Sequence, residues 1–588
     1  MKQFFKFMFA SLLGFIIGGF LLIFILIGIA AGIASGTSDE KAATIKTNSV
    51  LKLKLNYIIS ERTTKNPFYF MDIPGIESGK SLGLNDILAN IKKAAKDDNI
   101  KGIYLGADVS PNSYASLEEI RNALIEFKKS KKFIYAYAEL MDEHSYYVAS
   151  VADRIYLNPS GDILLNGFSQ QVFYIKGLLD KMGLEPELIR HGKYKAAGEP
   201  LIADKMSDAN RKQIEAYMGN LYRYFLKNIA SARNKDVQEI TDIVNELQVQ
   251  NSKDAVRLGI IDAVKYEDEV DAEIKSKLGI GEKAKIEFVS NSKYKNVRGE
   301  VSTSDNKIAV VYCVGDIISG KGDDETIGSE KIAATLKKIR EDDKYKAVVL
   351  RINSPGGSAL ASDIIWREVV LCKKKKPVVV SMGDVAASGG YYIAAPADAI
   401  IAQPNTITGS IGVFGLMLNA KELLNNKLGI KIETVKFGEF SDLGSPDRPL
   451  NEAERRVIQK AIDRVYADFI KRVAEGRKLT VAQIDSLAQG RVYSGVEAKE
   501  LGLIDDFGGL DKAIEVAAKK AKLTEYRTVI LPELKDPFSE LLSTISENTS
   551  TYFMKRELGS EYRQYLQVKN ALKYQGIQMR MSYDFRIQ

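Results

Sequence analysis

The sequence predicts an α/β protein made of two tandem copies of one domain, set behind an apolar N-terminal segment. Three observations carry this expectation. The chain repeats itself at an offset of about 245 residues. Within each copy, short β-branched apolar runs alternate with stretches of helical spacing. Ahead of both copies lies a run of 32 uncharged residues, Phe7 to Ser38.

That run is first in the chain. About 20 apolar residues suffice to cross the hydrocarbon core of a bilayer. Lys2 and Lys6 precede the run, and Asp39 and Glu40 follow it. Positive-inside logic then puts the N-terminus in the cytoplasm and the rest outside. The rival is a cleaved signal peptide, because AGIASG offers small residues suited to a cleavage site. Signal-peptide cores run to about 7–15 residues, roughly half this length. Residues 1–38 are therefore read as a retained single-pass anchor.

The repeat organises the remainder. KKAAKDDNIKGIYL around Asp97 matches KKIREDDKYKAVVL around Asp342, with Lys101 against Lys346. The same offset of 245 pairs Tyr146-Tyr147 with Tyr391-Tyr392, Asp153 with Asp398 and Pro159 with Pro404. KMGLEPELIRHGKYKAAGEP aligns with KLGIKIETVKFGEFSDLGSP at 246. Ala255, Gly259 and Asp262 align with Ala498, Gly502 and Asp505 at 243. The first copy takes residues 39–290 and the second 307–530, with the polar stretch 291–306 as linker. Residues 531–588 leave the repeat and read as a helical, basic extension.

The second copy shows its elements most clearly. Ala347 to Ile352 (AVVLRI) suits a buried strand. SPGG turns the chain at Ser354 to Gly357, and Leu360, Ile364, Val369 and Leu371 then recur at helical spacing. The lysines that follow suit a helix C-terminus. Pro377 to Met382 predicts the next strand, and SGGYYIAAPA the next helix. Such alternation implies right-handed crossovers with helices packed on a sheet.

Composition narrows the chemistry. At 588 residues, 45% hydrophobic and 27% charged, the chain is neither disordered nor collagen-like. A net charge of +7 over this length is too weak to argue for nucleic acid. Two cysteines, Cys313 and Cys372, exclude a disulfide framework and a thiolate metal cluster. They suit small apolar packing, and an extracytoplasmic bond between them stays open. His144 and His191 are the only histidines, so any histidine-based triad or multi-histidine metal site must use one of them.

The candidate chemistry emerges where the copies differ. DVAASGGYY places Ser388 at a strand-to-helix junction, ahead of Gly389 and Gly390. Helix-terminal amides there could receive an oxyanion. The equivalent residues of the first copy are Glu143 and His144, and the turn Gly356-Gly357 maps to Pro111-Asn112. Conversely, KYKAAGEP of the first copy carries Lys195, whose partner is Ser441. Each copy keeps what the other lacks. That argues for a composite site with serine from one copy and lysine from the other.

A serine hydroxyl needs an adjacent base. With almost no histidine, lysine is the natural candidate, provided that desolvation lowers its pKa from about 10.4. Gly389 and Gly356 or Gly357 would supply oxyanion donors, since a missing side chain permits close approach. Plainer roles compete. Serine before glycines can simply cap a helix, SPGG can be an ordinary turn, and Lys193 is a rival two residues from Lys195. His191 has Phe437 as its counterpart and suits packing or hydrogen bonding as well as catalysis. AASGG lacks the first glycine of G-x-S-x-G, so an α/β-hydrolase elbow is unsupported.

These residues together resemble the long, duplicated form of the signal peptide peptidase A family, also called protease IV. The resemblance runs from the N-terminal segment through both copies. Its marks are YKAAGEP around Lys195, NSPGG at Asn353 to Gly357, DVAASGGYYIA around Ser388, TITGSIGV at Thr406 to Val413, and GRVYSGVEAKELGLID at Gly490 to Asp505. It implies a crotonase-like or Clp-protease-like fold and a dyad of Ser388 and Lys195, with Ser410 bonding the lysine amine. It implies no cofactor and no metal. Members of the family are membrane-bound bacterial serine proteases that degrade signal peptides left after preprotein processing. Similar enzymes form a homotetrameric bowl with the sites inside. The expected setting is the bacterial inner membrane, with the catalytic bulk on the extracytoplasmic side. Ala196 departs from the family, which shows serine after the lysine. Two alternatives remain at this stage: a crotonase-like acyl-coenzyme A enzyme and a catalytically silent membrane scaffold.

Overall fold

The computed structural model describes residues 6–7, 13–21, 44–63, 82–299, 302–534 and 576–581. Most of the apolar run Phe7 to Ser38 therefore lies outside the described residues, as does most of the 531–588 extension. No helix among the described residues is long and apolar enough to cross a membrane.

The first copy is built on a six-stranded parallel sheet. Its order is Ala263–Val264, Arg154–Ile163, Phe133–Met141, Ile100–Gly106, Ser49–Lys54 and Phe288–Ser290. The second copy repeats the plan in a sheet running Val492–Ser494, Ile407–Gly409, Val378–Ala387, Tyr345–Ser354, Lys307–Val314 and Arg527–Leu531. Ala399–Ala402 and Asp506–Phe507 extend it from Val378–Ala387. Only the pairing of Ile407–Gly409 with Val492–Ser494 is antiparallel there. Strands buried on both faces need near-continuous apolar runs. Ile308, Ala309, Val348, Val349, Val379 and Val380 accordingly have 2% exposure or less.

The duplication extends to single hydrogen bonds. Tyr146 Oη donates to Ile260 O at 2.8 Å, and Tyr391 Oη donates to Leu503 O at 2.8 Å. Arg233 pairs with Asp262 as Arg477 pairs with Asp505. Asp262 accepts the Ile155 N–H, and Asp505 that of Ile400. The repeated tyrosines are thus core architecture.

A third sheet stitches the copies together. Its order is Thr326–Gly328, Asp316–Ile318, Gly356–Ser358, Gly576–Arg580, Val413–Asn419 and Glu185–His191. The last strand comes from the first copy. Gly576–Arg580 lies in the extension that the sequence reads as helical; its described part is a strand.

The stretch 291–306 also needs correcting as a linker. Asn291–Lys295 is helical, Tyr294 is fully buried, and its hydroxyl donates to Asp97 at 2.9 Å. Asn90 Nδ2 donates to Asn291 Oδ1 at 2.6 Å. A polar composition here serves buried hydrogen bonds, so connecting chain begins only beyond this turn.

Candidate active site at the junction of the repeats

Lys195 reaches the second copy through a seven-residue ladder. Glu185–His191 pairs antiparallel with Val413–Asn419, from Glu185 opposite Asn419 to His191 opposite Val413. Past the ladder the chain turns, with Lys195 N–H donating to Gly192 O at 3.2 Å. Tyr194 N–H donates to Gln489 O at 2.7 Å. Gly490 makes this approach possible. Its φ is +78°, and a Cβ there would lie 2.6 Å from both the backbone N and the Cβ of Lys195. The sequence discloses GRVYSG as a family mark without disclosing this role.

Ser388 sits where the strand Val378–Ala387 gives way to the helix Gly389–Ala394. Its backbone is unusual for a non-glycine residue, at φ 55° and ψ −113°, which costs on the order of 1–3 kcal/mol. Ser388 N–H donates to Gly409 O at 2.8 Å and helps hold that conformation. Although Ser388 occupies the N-cap position, its side chain caps nothing. Its hydroxyl faces the lysine.

Lys195 Nζ lies 2.8 Å from Ser388 Oγ and 3.1 Å from Ser410 Oγ, and it donates to Ser410 O at 3.0 Å. Lys195 is 1% exposed, Ser388 0% and Ser410 2%. Burial alone pushes the Lys195 amine well below its ordinary value of 10.5. Such burial favours the neutral amine, which here lies beside a hydroxyl.

The two candidate glycines of the turn separate in this geometry. Gly356 N–H donates to Ser354 Oγ at 3.1 Å and so already has a partner. Gly357 and Gly389 remain the candidates for oxyanion donation. The two segments touch, since a Cβ on Gly356 (φ +103°) would lie 2.7 Å from Gly389 N.

The description "Peptidase family S49" belongs to the family model that matches residues 126–281 and 371–524, one match in each copy.

The chain belongs to peptidase family S49.

A model described as Clp protease matches residues 305–410. The chloroplastic serine protease SPPA of Arabidopsis thaliana is 35% identical over 85% of this chain and 73% of its own length. Protease 4 of Haemophilus influenzae is 34% identical over 81% of this chain and 80% of its own. Protease 4 of Salmonella typhi is 36% identical over 75% and 73%. This S49 chain is a serine peptidase with duplicated, Clp-protease-like α/β domains. The acyl-coenzyme A and silent-scaffold alternatives fall with that assignment.

The remaining sequence candidates lie elsewhere in the S49 chain. Lys193 is exposed, with its amine 5.8 Å over the Tyr194 ring. Ala196 is buried, and Ser441 lies on an exposed loop. His191 Nδ1 lies 2.7 Å from Asp463 Oδ1, and its ring stacks on Tyr466 at 3.9 Å. Cys313 and Cys372 are free and buried, and burial pushes their thiols up to about 12 and about 11.

The first copy retains a cleft of about 430 Å³ at the degenerate counterpart of the site. Pro111, Asn112, Glu143 and His144 line it from the first copy, and Val385 and Ile407 from the second. Pro111 has no N–H to offer. Glu143, in place of the serine, accepts the N–H groups of Asn166 at 2.7 Å and Gly167 at 3.0 Å. His144 stacks on Tyr114 at 4.4 Å.

Sequence reasoning misses one cluster altogether. Arg351 is 1% exposed in the middle of AVVLRI. Its Nε donates to Glu61 Oε2 at 2.8 Å, and its Nη2 lies 2.6 Å from Glu119 Oε1. Burial opposes its charge, and Glu119 and Glu61 more than offset that, holding the guanidinium above its ordinary value. Asn353 Nδ2 donates to Glu61 Oε1 at 3.0 Å, so the cluster ends on the glycine turn. An arginine inside an apolar strand demands buried partners, and that was the available signal.

Proposed function

We propose that this S49 serine peptidase works through Ser388 as nucleophile and Lys195 as general base, on extended peptides such as signal peptides left after preprotein processing. The observation that carries the reading is the 2.8 Å approach of a desolvated lysine amine to a buried serine hydroxyl that has no other hydrogen-bond partner among the described residues. The amine lone pair takes the hydroxyl proton as Oγ attacks the scissile carbonyl. Gly357 and Gly389 N–H groups receive the oxyanion. The lysine ammonium then protonates the leaving amine, and water, deprotonated by the same amine, releases the acyl group. Ser410, through its carbonyl and hydroxyl, fixes the amine toward Ser388. A serine-directed fluorophosphonate should label the native enzyme and leave Ser388→Ala and Lys195→Ala unlabelled. Equal labelling of all three would overturn the assignment.

The setting follows from charge and repeat. Lys2 and Lys6 on one flank of the uncharged run support a single-pass anchor in the bacterial cytoplasmic membrane, with the catalytic bulk outside. The internal symmetry supports an oligomer. Glu185–His191 is covered by Val413–Asn419 of the same chain. The counterparts of these strands, residues 431–437 and 168–174, form no ladder among the described residues. Val435 is 84% exposed and Phe437 99%. Two such edges on one chain, complementary by the repeat, suit head-to-tail pairing that closes into a ring. A tetramer is the closure the family resemblance favours.

A further inference from the structure

The first copy's cleft of about 430 Å³ is large enough to hold a ligand and has lost the means to cut one. Glu143 stands where the second copy has its serine, and Ser441, the counterpart of the lysine, lies on an exposed loop. Pro111 removes a backbone donor from the turn. Whatever enters is bound and left whole.

The lining is acidic. Asp142, Glu143 and Asp384 belong to it, and no lysine or arginine does. Neutral donors hold these carboxylates. Asp142 Oδ1 accepts the Ser145 N–H at 2.9 Å and the Ser145 hydroxyl at 2.7 Å. Asp384 accepts the Ser116 N–H at 2.8 Å and the Ser116 hydroxyl at 2.9 Å. Glu143 takes both of its N–H bonds on Oε1, and its Oε2 has no hydrogen-bond partner among the described residues. Such bonds orient a carboxylate without cancelling its charge, and a low-dielectric cleft focuses the resulting field. His144, with Nδ1 3.7 Å from Asp142 Oδ2, is the one lining residue able to carry a positive charge. Arg351, whose charge reaches Asp384, is already matched by Glu61 and Glu119. Two polar groups are also left open. Asn405 lines the cleft at 4% exposure, and its side-chain amide has no hydrogen-bond partner among the described residues. The hydroxyl of Tyr114, another lining residue at 4% exposure, likewise lacks one. Buried polar groups are as a rule hydrogen-bonded, so an open pair in a cleft points to a ligand that completes them.

We propose that this cleft binds a lysine or arginine side chain of an extended peptide, with the cation against Glu143 and Asp142 and the peptide backbone bonded by Asn405. That the occupant is a peptide rests on the peptidase reading of the second copy, whose site this one duplicates. That it is cationic rests on the lining alone. The half-exposed Leu164 and Val109 suit the aliphatic stem of such a side chain. Burial pushes the Glu143 carboxyl above its ordinary value, and a cation bound against it reverses that shift. Val385, which lines the cleft from the second copy, is about 10 Å of strand from Ser388, so a peptide held here stays near the working serine.

The test uses the full chain in detergent with Ser388→Ala, so that no probe is consumed. The probes are two short peptides of serine and leucine, blocked at both ends, each with one benzophenone. One carries lysine beside the benzophenone, and the other carries norleucine. After irradiation, crosslinks are mapped by mass spectrometry. The lysine peptide should mark residues 109–115 or 164–166, and the norleucine peptide should do so several-fold less. Glu143→Gln should bring the lysine peptide down to the norleucine level. Leu164→Lys, at a half-exposed position, should do the same by placing a cation in the cleft. Circular dichroism matching the parent's checks that both variants fold. Equal marking by the two peptides, or crosslinks confined to the second copy, would overturn the inference. The peptidase reading would stand apart from that result, since fluorophosphonate labelling of the native enzyme decides it. Suppression of the crosslinks by an equal concentration of Nα-acetyl-lysine amide would assign the cleft to a small cation and overturn the peptide occupant.

Discussion

At Lys195 the governing quantity is protonation. An ammonium there would have a carbonyl and two hydroxyls around it and no anion, so burial favours the neutral amine. A general base works through its deprotonated fraction, which grows as pH rises through its pKa. Turnover should therefore climb with pH, with an inflection well below the ordinary lysine value of 10.5. A pH profile of kcat/KM checks this. Lys195→Arg should be inactive at every pH, because guanidinium stays protonated. Lys195→Ala should lose roughly 10⁴-fold or more, while exposed Lys193→Ala stays near the native rate. An alkaline limb that survives in Lys195→Ala would move the base to another group. Ser388 and Lys195 are legible in the sequence because the copies diverge at those two places. Gly490 is not legible, since its task depends on a neighbour that only the fold supplies. Gly490→Ala would force a Cβ into the Lys195 backbone. A displacement of about 1 Å at a catalytic group can cost on the order of 10²-fold, and a loss of that size, without loss of folding by circular dichroism, is expected.

Among the elements, the strand Tyr345–Ser354 does two jobs: it is a central strand of the second sheet, and through Arg351 it grips the first copy. Removing one partner from a buried ion cluster leaves the others unpaired, at about 3–5 kcal/mol. Arg351→Ala should lower the unfolding free energy by about that amount, read by urea titration. A change below about 1 kcal/mol would mean that Glu61 and Glu119 are satisfied without it. The strands and helices of the second copy are legible because period and caps agree locally. Buried strands and helices recur at Tyr345–Ser354, Ala359–Lys373, Val378–Ala387 and Gly389–Ala394, where the apolar patterns predict them. What the pattern misses is set by distant partners. Asn291–Lys295 is polar yet buried against Asn90 and Asp97. Gly576–Arg580 is a strand because two sheet edges await it.

For the whole molecule, the proposed ring rests on the duplication. Glu185–His191 ladders to Val413–Asn419 within the chain, and their counterparts, residues 431–437 and 168–174, are unladdered among the described residues. Replacing Val435 and Phe437 together by Asp should prevent the second pair from closing between chains. Sedimentation velocity should then show a native oligomer and a monomeric variant. Fluorophosphonate labelling of Ser388 should persist in that variant, because its lysine arrives from its own chain. A native enzyme that sediments as a monomer would refute the ring.

The strand that delivers Lys195 to its own second copy also has a genetic consequence. Two defective alleles, one carrying Lys195→Ala and the other Ser388→Ala, divide the needed groups between different polypeptides. With Glu185–His191 already laddered to Val413–Asn419 in each chain, neither can lend its intact half to the other. Co-expression should leave peptide hydrolysis at the level of the single mutants, and the two alleles should fall into one complementation group. Restored activity in the mixture would show that the arm exchanges between chains.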